Sequence, residues 1–323
     1  MSSSLAGKRI CVTGGAGFLG RSVCAKLRAE SDGEIFIPRS SEYDLTQAGD
    51  VERMFDAACP EVVIHLAAEV GGIGINRKRP GRFCYANLSM GLHLIEESRR
   101  RSVEKFVQVG SVCAYPKFCD VPFREEDIWN GYPEETNAPY GVAKRALGVL
   151  IESYRAEYGF NGIYLIPVNL YGPGDNFDAE TSHVIPALIR QFCHAASNGY
   201  KSVQCWGSGN ASREFLYVDD AAEALVRATA IHNDSRPINL GTCREIKIAD
   251  LAALLAELCE YTGEITWDAT MPDGQPRRCL DTTRAATLLD WQPRVDLEEG
   301  LQRTVSWWRS QRKQPIKEVC TAP

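Results

Sequence analysis

Tyr140 and Lys144 stand four residues apart within 140–158, a stretch whose apolar spacing predicts a helix, so both side chains leave one helix face. An ammonium near a phenol favours the phenolate, which makes a tyrosine usable as an acid or base near neutral pH. The segment Gly110-Ser111-Val112-Cys113 follows an apolar stretch at 105–109 that reads as a strand. That puts Ser111 at the carboxyl edge of a sheet, where α/β proteins bind ligands. Each signal is common alone: tyrosine and lysine recur on helices, and the chain has 12 cysteines. The elements that hold these residues decide their meaning.

Residues 8–13 form a short β-branched run, followed by Gly14-Gly15-Ala16-Gly17-Phe18-Leu19-Gly20 and an amphipathic helix at about 21–29. The glycines at 14, 17 and 20 sit between strand and helix, the context a dinucleotide site requires. One permits a tight turn, another lets the backbone approach a pyrophosphate, and the third allows close helix–sheet packing. The helix N-terminus attracts the phosphates. A second strand at 34–38 ends in Arg39, Ser40 and Ser41, with no carboxylate before Glu42. A carboxylate there would bind the ribose 2′-hydroxyl of NAD, whereas an arginine accepts the 2′-phosphate of NADP. NADP is therefore favoured, with a solvated loop role for Arg39 as the alternative.

Further strands are read at 61–66 and 162–167, and helices at 51–58 and 82–100. This alternation predicts a Rossmann doubly wound parallel sheet with right-handed crossovers. Beyond Asn169, Gly, Pro, Asn and Asp become frequent, as in loops that shape a site. Apolar segments return at 215–218, 221–230 and 238–240, with helices at 248–259 and 297–309. With no repeat and no Ser/Gly linker, two interleaved lobes are expected. A Rossmann domain takes 1–168 plus about 214–242, and a smaller, interleaved C-terminal substrate domain takes 169–213 and 243–323.

The chain has 323 residues, 44% hydrophobic and 24% charged, and a formal net charge of −6. Such a composition is that of a globular protein, and without a dense basic run nucleic acid is not expected as a partner. Arg99 to Arg101 read as the cationic end of a helix. No apolar run approaches a membrane span and no signal peptide opens the chain. Scattered cysteines without a close CxxC pair are read as reduced thiols in the cytoplasm, with no metal site.

Together the glycines, Ser111, Tyr140 and Lys144 resemble the extended short-chain dehydrogenase/reductase family over essentially the whole chain. More specific segments are Val70-Gly71-Gly72-Ile73, Ser111 to Pro116 (SVCAYP), Pro167 to Pro173 (PVNLYGP), Asp175-Asn176-Phe177, Ser182 to Pro186 (SHVIP) and Trp206-Gly207-Ser208-Gly209. In that order they resemble the GDP-L-fucose synthase family. The resemblance implies conversion of GDP-4-keto-6-deoxy-D-mannose to GDP-L-fucose, by epimerisation at C-3 and C-5 and NADPH-dependent reduction at C-4. The ketone acidifies the C-3 and C-5 protons, so a base and an acid are needed. Cys113 would serve as base and His183 would return the proton. Ser111 and Tyr140 would stabilise the enolate oxygen, and Tyr140 would protonate O-4 while Lys144 holds the nicotinamide ribose.

The same resemblance assigns Gly14, Gly17, Phe18, Leu19, Gly20, Arg39, Asp44, Leu45, Leu66, Ala67, Ala68, Tyr140, Lys144, Pro167, Asn169, Leu170 and His183 to NADP. It assigns Ser111, Val112, Cys113, Asn169, Asn176, Arg190, Gln191, Trp206, Arg213 and Asp273 to the GDP-sugar, with Arg213 suited to the diphosphate. Arg277 is a further candidate, its alternative being a surface ion pair. The chain departs from the family pattern at Gln191, where a basic residue is usual, and at Gly174, where the loop usually reads GPHDNF. Ala16 and Glu69 stand where some members carry arginine and lysine. Alternatives are a reductase or epimerase on another keto-sugar, a redox-neutral NAD-dependent 4-epimerase or dehydratase, and a catalytically idle nucleotide-sensing relative. The resemblance also implies a homodimer packed through 82–100 and 140–158.

Overall fold

The computed structural model describes residues 5–312; the outermost residues of the two expected lobes, 1–4 and 313–323 with Cys320, lie outside the described residues. From the N-terminus the chain runs β1 (Ile10–Thr13), α1 (Phe18–Glu30), β2 (Ile35–Phe36), α2 (Ala48–Ala58), β3 (Val62–His65), α3 (Ile73–Lys78), α4 (Pro80–Arg100) and β4 (Lys105–Val109). Short 3-10 turns at Val112–Ala114 and Glu125–Trp129 lead to α5 (Ala138–Tyr158) and β5 (Gly162–Pro167). The remainder is β6 (Asn169–Tyr171), α6 (Val184–Asn198), β7 (Ser202–Trp206), β8 (Ser212–Tyr217), α7 (Val218–Ile231) and β9 (Ile238–Leu240). It continues through β10 (Glu245–Lys247), α8 (Ile248–Leu258), β11 (Glu264–Asp268), α9 (Thr283–Leu289) and α10 (Leu297–Arg312).

Six parallel strands form the main sheet in the order β2-β1-β3-β4-β5-β9. β1, β3, β4 and β5 are buried throughout, which is why they read as mainly apolar runs. On one face Met54, Phe55, Met90, Leu94, Leu147 and Ile151 from α2, α4 and α5 pack against Cys11, Val63 and Phe106. On the other, Val23, Leu27, Leu225 and Leu289 from α1, α7 and α9 pack against Val12, Ile64 and Leu165. A second core joins α6, α8 and α10 to β7 and β8 around Tyr171, Phe192, Leu251 and Leu301. There β10-β8-β6 make a three-stranded sheet and β11 pairs with β7.

Two local expectations shift. The strand read at 34–38 keeps only Ile35 and Phe36, at the sheet edge with β1 as its one neighbour. The helix read from 21 begins at Phe18, because the last residues of the glycine turn are already its first turn. The chain leaves β1 for β2 on one side and returns to β3 on the other. At that reversal the carboxyl ends of the strands open a crevice.

Candidate active site

Everything chemically informative gathers at those carboxyl ends. Gly14 leaves β1 at φ +70°, and a Cβ there would sit 2.7 Å from the Ala67 nitrogen beyond β3. Only glycine lets the two turns approach so closely. A side chain at Gly20 would collide with the Gly14 carbonyl, so α1 rests directly on the turn. Gly17 caps the helix without a side-chain bond, and no acidic residue occupies the first turn. Its free backbone N–H groups and dipole therefore face the crevice as an anion site.

The crevice is a cavity of about 1180 Å³, above the ~300–1,000 Å³ usual for one small ligand and roomy enough for two nucleotides side by side. Of the residues assigned from sequence, all but Asn176 line it. Asn176 lies in the loop beyond β6, where its amide donates to the Thr181 hydroxyl (2.8 Å) and accepts from the Asp178 N–H (3.0 Å). Arg39 lines the wall next to Ser40 and Asp44 and forms no ion pair among the described residues. Asp44 accepts bonds from the Thr46 hydroxyl and N–H (2.7 and 3.0 Å), which hold its carboxyl below the usual range.

On the β4 side, Ser111 caps the Val112–Ala114 turn by accepting the Cys113 N–H at 3.2 Å. Gly141 lets α5 settle on that turn, since any side chain there would strike the Cys113 carbonyl. The approach brings Tyr140 into hydrogen-bond contact with Ser111 and close to Cys113. Enclosure by protein pushes the phenol well above its ordinary pKa, Cys113 pushes in the same direction, and the Ser111 bond opposes them. Lys144 does not hold the phenol down as the spacing alone predicts. Its ammonium donates to the Val109 carbonyl at 3.0 Å and lies 5.7 Å from the Tyr140 ring centroid, and burial lowers it to about 8. Tyr140 is thus a neutral phenol at neutral pH, the form in which it donates a proton.

His183 caps α6 and reaches the cavity from the second core. Its ring is open to the cavity yet walled in by protein; that enclosure, and then the Arg278 guanidinium, pull its pKa below the ordinary value. Further out, the Asp273 carboxylate is taken by the Ser208 N–H (2.7 Å) and hydroxyl (2.8 Å), tying the loop after β7 to the cavity rim. Trp206 projects there with 59% of its surface exposed, against the Gly74 backbone. Arg190 and Gln191 both line the wall, despite their different directions on α6. Arg190 Nε and Gln191 Oε1 are buried and unpartnered.

Two buried guanidiniums converge. Arg213 donates to the Ser212 and Asp273 carbonyls (2.7 and 2.8 Å), and Arg278 to Gln275 Oε1 and Asn169 Oδ1 (3.0 and 3.4 Å). Neither pairs with a carboxylate among the described residues, and burial, then mutual repulsion, disfavours the charge on Arg213. Arg278 was missed in the sequence, where its neighbour Arg277 drew attention instead. Arg277 turns outward and pairs with Glu245 at 2.9 Å. Consecutive residues of an extended segment face opposite ways, so one of the two had to point inward. Glu69, a departure from the family, pairs with Arg82 at the cavity wall. At Gly174 (φ +83°) a side chain would meet Arg21, whose guanidinium binds the Gly174 carbonyl at 2.7 Å.

The chain is similar in sequence and in fold to known proteins. A GDP-L-fucose synthase of Arabidopsis thaliana is 38% identical over 97% of this chain and 94% of its own. Two solved structures align closely. One is a GDP-6-OMe-4-keto-L-xylo-heptose reductase of Campylobacter jejuni (TM-score 0.89, 27% identity, 94% and 98% of the two chains). The other is a GDP-L-fucose synthetase of Naegleria fowleri bound to NADP (TM-score 0.86, 28% identity, 96% and 96%). Residues 10–241 match the NAD dependent epimerase/dehydratase family, and with a matched region spanning the glycine turn, Ser111, Tyr140 and Lys144, the chain belongs to that family.

Proposed function

We propose that this protein is a bifunctional epimerase/reductase that converts GDP-4-keto-6-deoxy-D-mannose to GDP-L-fucose with NADPH. The observation that carries the reading is that Ser111, Cys113, Tyr140, Lys144 and His183, drawn from the sheet edge, α5 and the head of α6, line one cavity with the glycine turn and two unpaired guanidiniums. Arg213 and Arg278 supply the positive charge a sugar diphosphate needs, and Arg39 the charge that favours a 2′-phosphate. The Gly14–Gly20 turn fits a dinucleotide pyrophosphate, and NADPH bound there supplies the hydride to C-4.

In this reading Cys113 removes the protons at C-3 and C-5, and His183, taking a proton from solvent for each transfer, delivers a proton to each carbon from its own wall. Ser111 and the neutral Tyr140 donate to the O-4 oxygen as enolate charge develops. In reduction Tyr140 gives its proton to O-4, and Lys144 orients the nicotinamide ribose. The assigned residues thus form a cofactor lobe of 1–168 with about 214–242 and a substrate lobe of 169–213 with 243–323. Exposed Tyr85 and Leu92 on α4 and Val142, Val149 and Tyr158 on α5 support a homodimer through these two helices. The eleven described free cysteines suit a reducing cytoplasm.

A second reading, reduction of a different GDP-keto-sugar, is favoured by Gln191, whose uncharged and unpartnered amide replaces the usual base. Turnover with GDP-4-keto-6-deoxymannose tests the choice. One NADPH oxidised per GDP-L-fucose formed supports the proposal. Isomerisation without NADPH consumption would instead mean a redox-neutral epimerase.

A further inference from the structure

Lys144 is buried in a setting that offers its ammonium little. The titratable groups around it are Tyr140 on its own helix, His65 on β3, Tyr164 on β5 and Cys113 beyond β4. None is a carboxylate. The Val109 carbonyl takes one of its three N–H donors, and burial lowers its pKa to about 8. Burial thus weakens the charge on this ammonium.

Directly beneath lies a buried polar row. Strand register sets Thr13, His65, Gln108 and Tyr164 side by side across β1, β3, β4 and β5. Each has a partner: Thr13 and His65 bond each other at 2.8 Å, and the Tyr164 hydroxyl donates to the Lys144 carbonyl at 2.9 Å. Gln108, 0% exposed, donates its amide N–H to the Val109 carbonyl at 2.9 Å, the same oxygen that Lys144 binds. Its own oxygen Oε1 is buried without a partner among the described residues. The Gln108 amide N–H and the Lys144 ammonium therefore meet at one carbonyl, the amide with an unused acceptor and the ammonium with spare donors.

We infer that Gln108 is a positioning residue for Lys144: both donate to the Val109 carbonyl, and Oε1, which bonds nothing among the described residues, takes a second ammonium N–H when the cofactor ribose is bound, so that the lysine stays charged and fixed there. The inference rests on the reading of Lys144 as a cofactor-binding residue. An uncharged amide does this without the strong pairing a carboxylate would impose, leaving the ammonium free to bind ribose hydroxyls.

The test is NADPH affinity against pH, by fluorescence titration, for wild type, Gln108→Glu and Gln108→Met, together with kcat and KM for reduction. In the wild type, affinity should fall at high pH as Lys144 loses its proton. Gln108→Met should move that fall to lower pH, and Gln108→Glu should move it up by about a unit or more. Opposite shifts exclude a merely structural role. Coincident falls in the folded variants overturn the inference, and, if neither variant folds, a wild-type affinity that stays level at high pH overturns it. A wild type that binds NADPH but reduces no keto-sugar defeats the proposed function and leaves this inference standing. A wild type that binds no NADPH defeats both.

Discussion

Replacing Arg213 by methionine separates a ligand-binding cation from a structural one. Of its five N–H donors, two are spent on the Ser212 and Asp273 carbonyls, leaving a fork for an anionic ligand. Two charge-assisted bonds to a diphosphate net about 3–4 kcal/mol, a rise of roughly 10²–10³-fold in Kd. Stability responds differently. Losing two carbonyl bonds costs about 1 kcal/mol each, offset because methionine removes a buried charge that Arg278 repels. The net change should stay within about 2 kcal/mol, or roughly 4 °C in Tm. GDP binding by calorimetry and a thermal melt read the two quantities on one sample. A Kd within threefold of wild type alongside a Tm loss above about 10 °C would refute the reasoning, since Arg213 would then be holding the fold rather than the ligand.

Cys113→Ser should bind NADPH normally yet lose about 10²–10³-fold in solvent deuterium exchange at C-3 and C-5; unchanged exchange would remove Cys113 from the base role. Tyr140→Phe should lower reduction by about 10²–10⁴-fold while NADPH affinity, by fluorescence, stays within about threefold. His65 is buried and its pKa lies well below 6.5, so the unfolded chain binds a proton that the folded one refuses. Its contribution is present above about 6.5 and lost as pH falls, at about 1.4 kcal/mol per pH unit. His65→Gln should flatten the urea-stability profile between pH 6.5 and 5, and an unchanged slope would contradict the assignment. Val149→Glu on the exposed side of α5 should convert a dimer to a monomer in sedimentation; an unaltered dimer would place the interface elsewhere.

Much of the first half was legible because its signals are local. The glycine spacing, the β4 end with Ser111 and the Tyr140–Lys144 pair each combine a turn or helix period with a buried strand, and these survive folding with little change. Four kinds of feature were hidden. β6, β7, β10 and β11 are three to five residues long, too short for alternation to stand out from loops. Whether Arg277 or Arg278 turned inward depended on the register of an extended segment held at Ser212 and Phe123. The side chain of Asn176 was claimed by its own loop rather than by the cavity. The state of Tyr140 followed from burial, a tertiary property that outweighed the lysine four residues away. The spare Gln108 Oε1, likewise, is visible only once β3, β4 and α5 are assembled.

The central claim is one cavity carrying out both epimerisation and reduction, and one measurement tests it most directly. GDP-4-keto-6-deoxymannose is turned over with NADPH in deuterated water, and the nucleotide-sugar product is examined by NMR. The account predicts GDP-L-fucose with solvent deuterium at C-3 and C-5 and the cofactor's protium at C-4. A product reduced at C-4 with protium retained at C-3 and C-5 would contradict it.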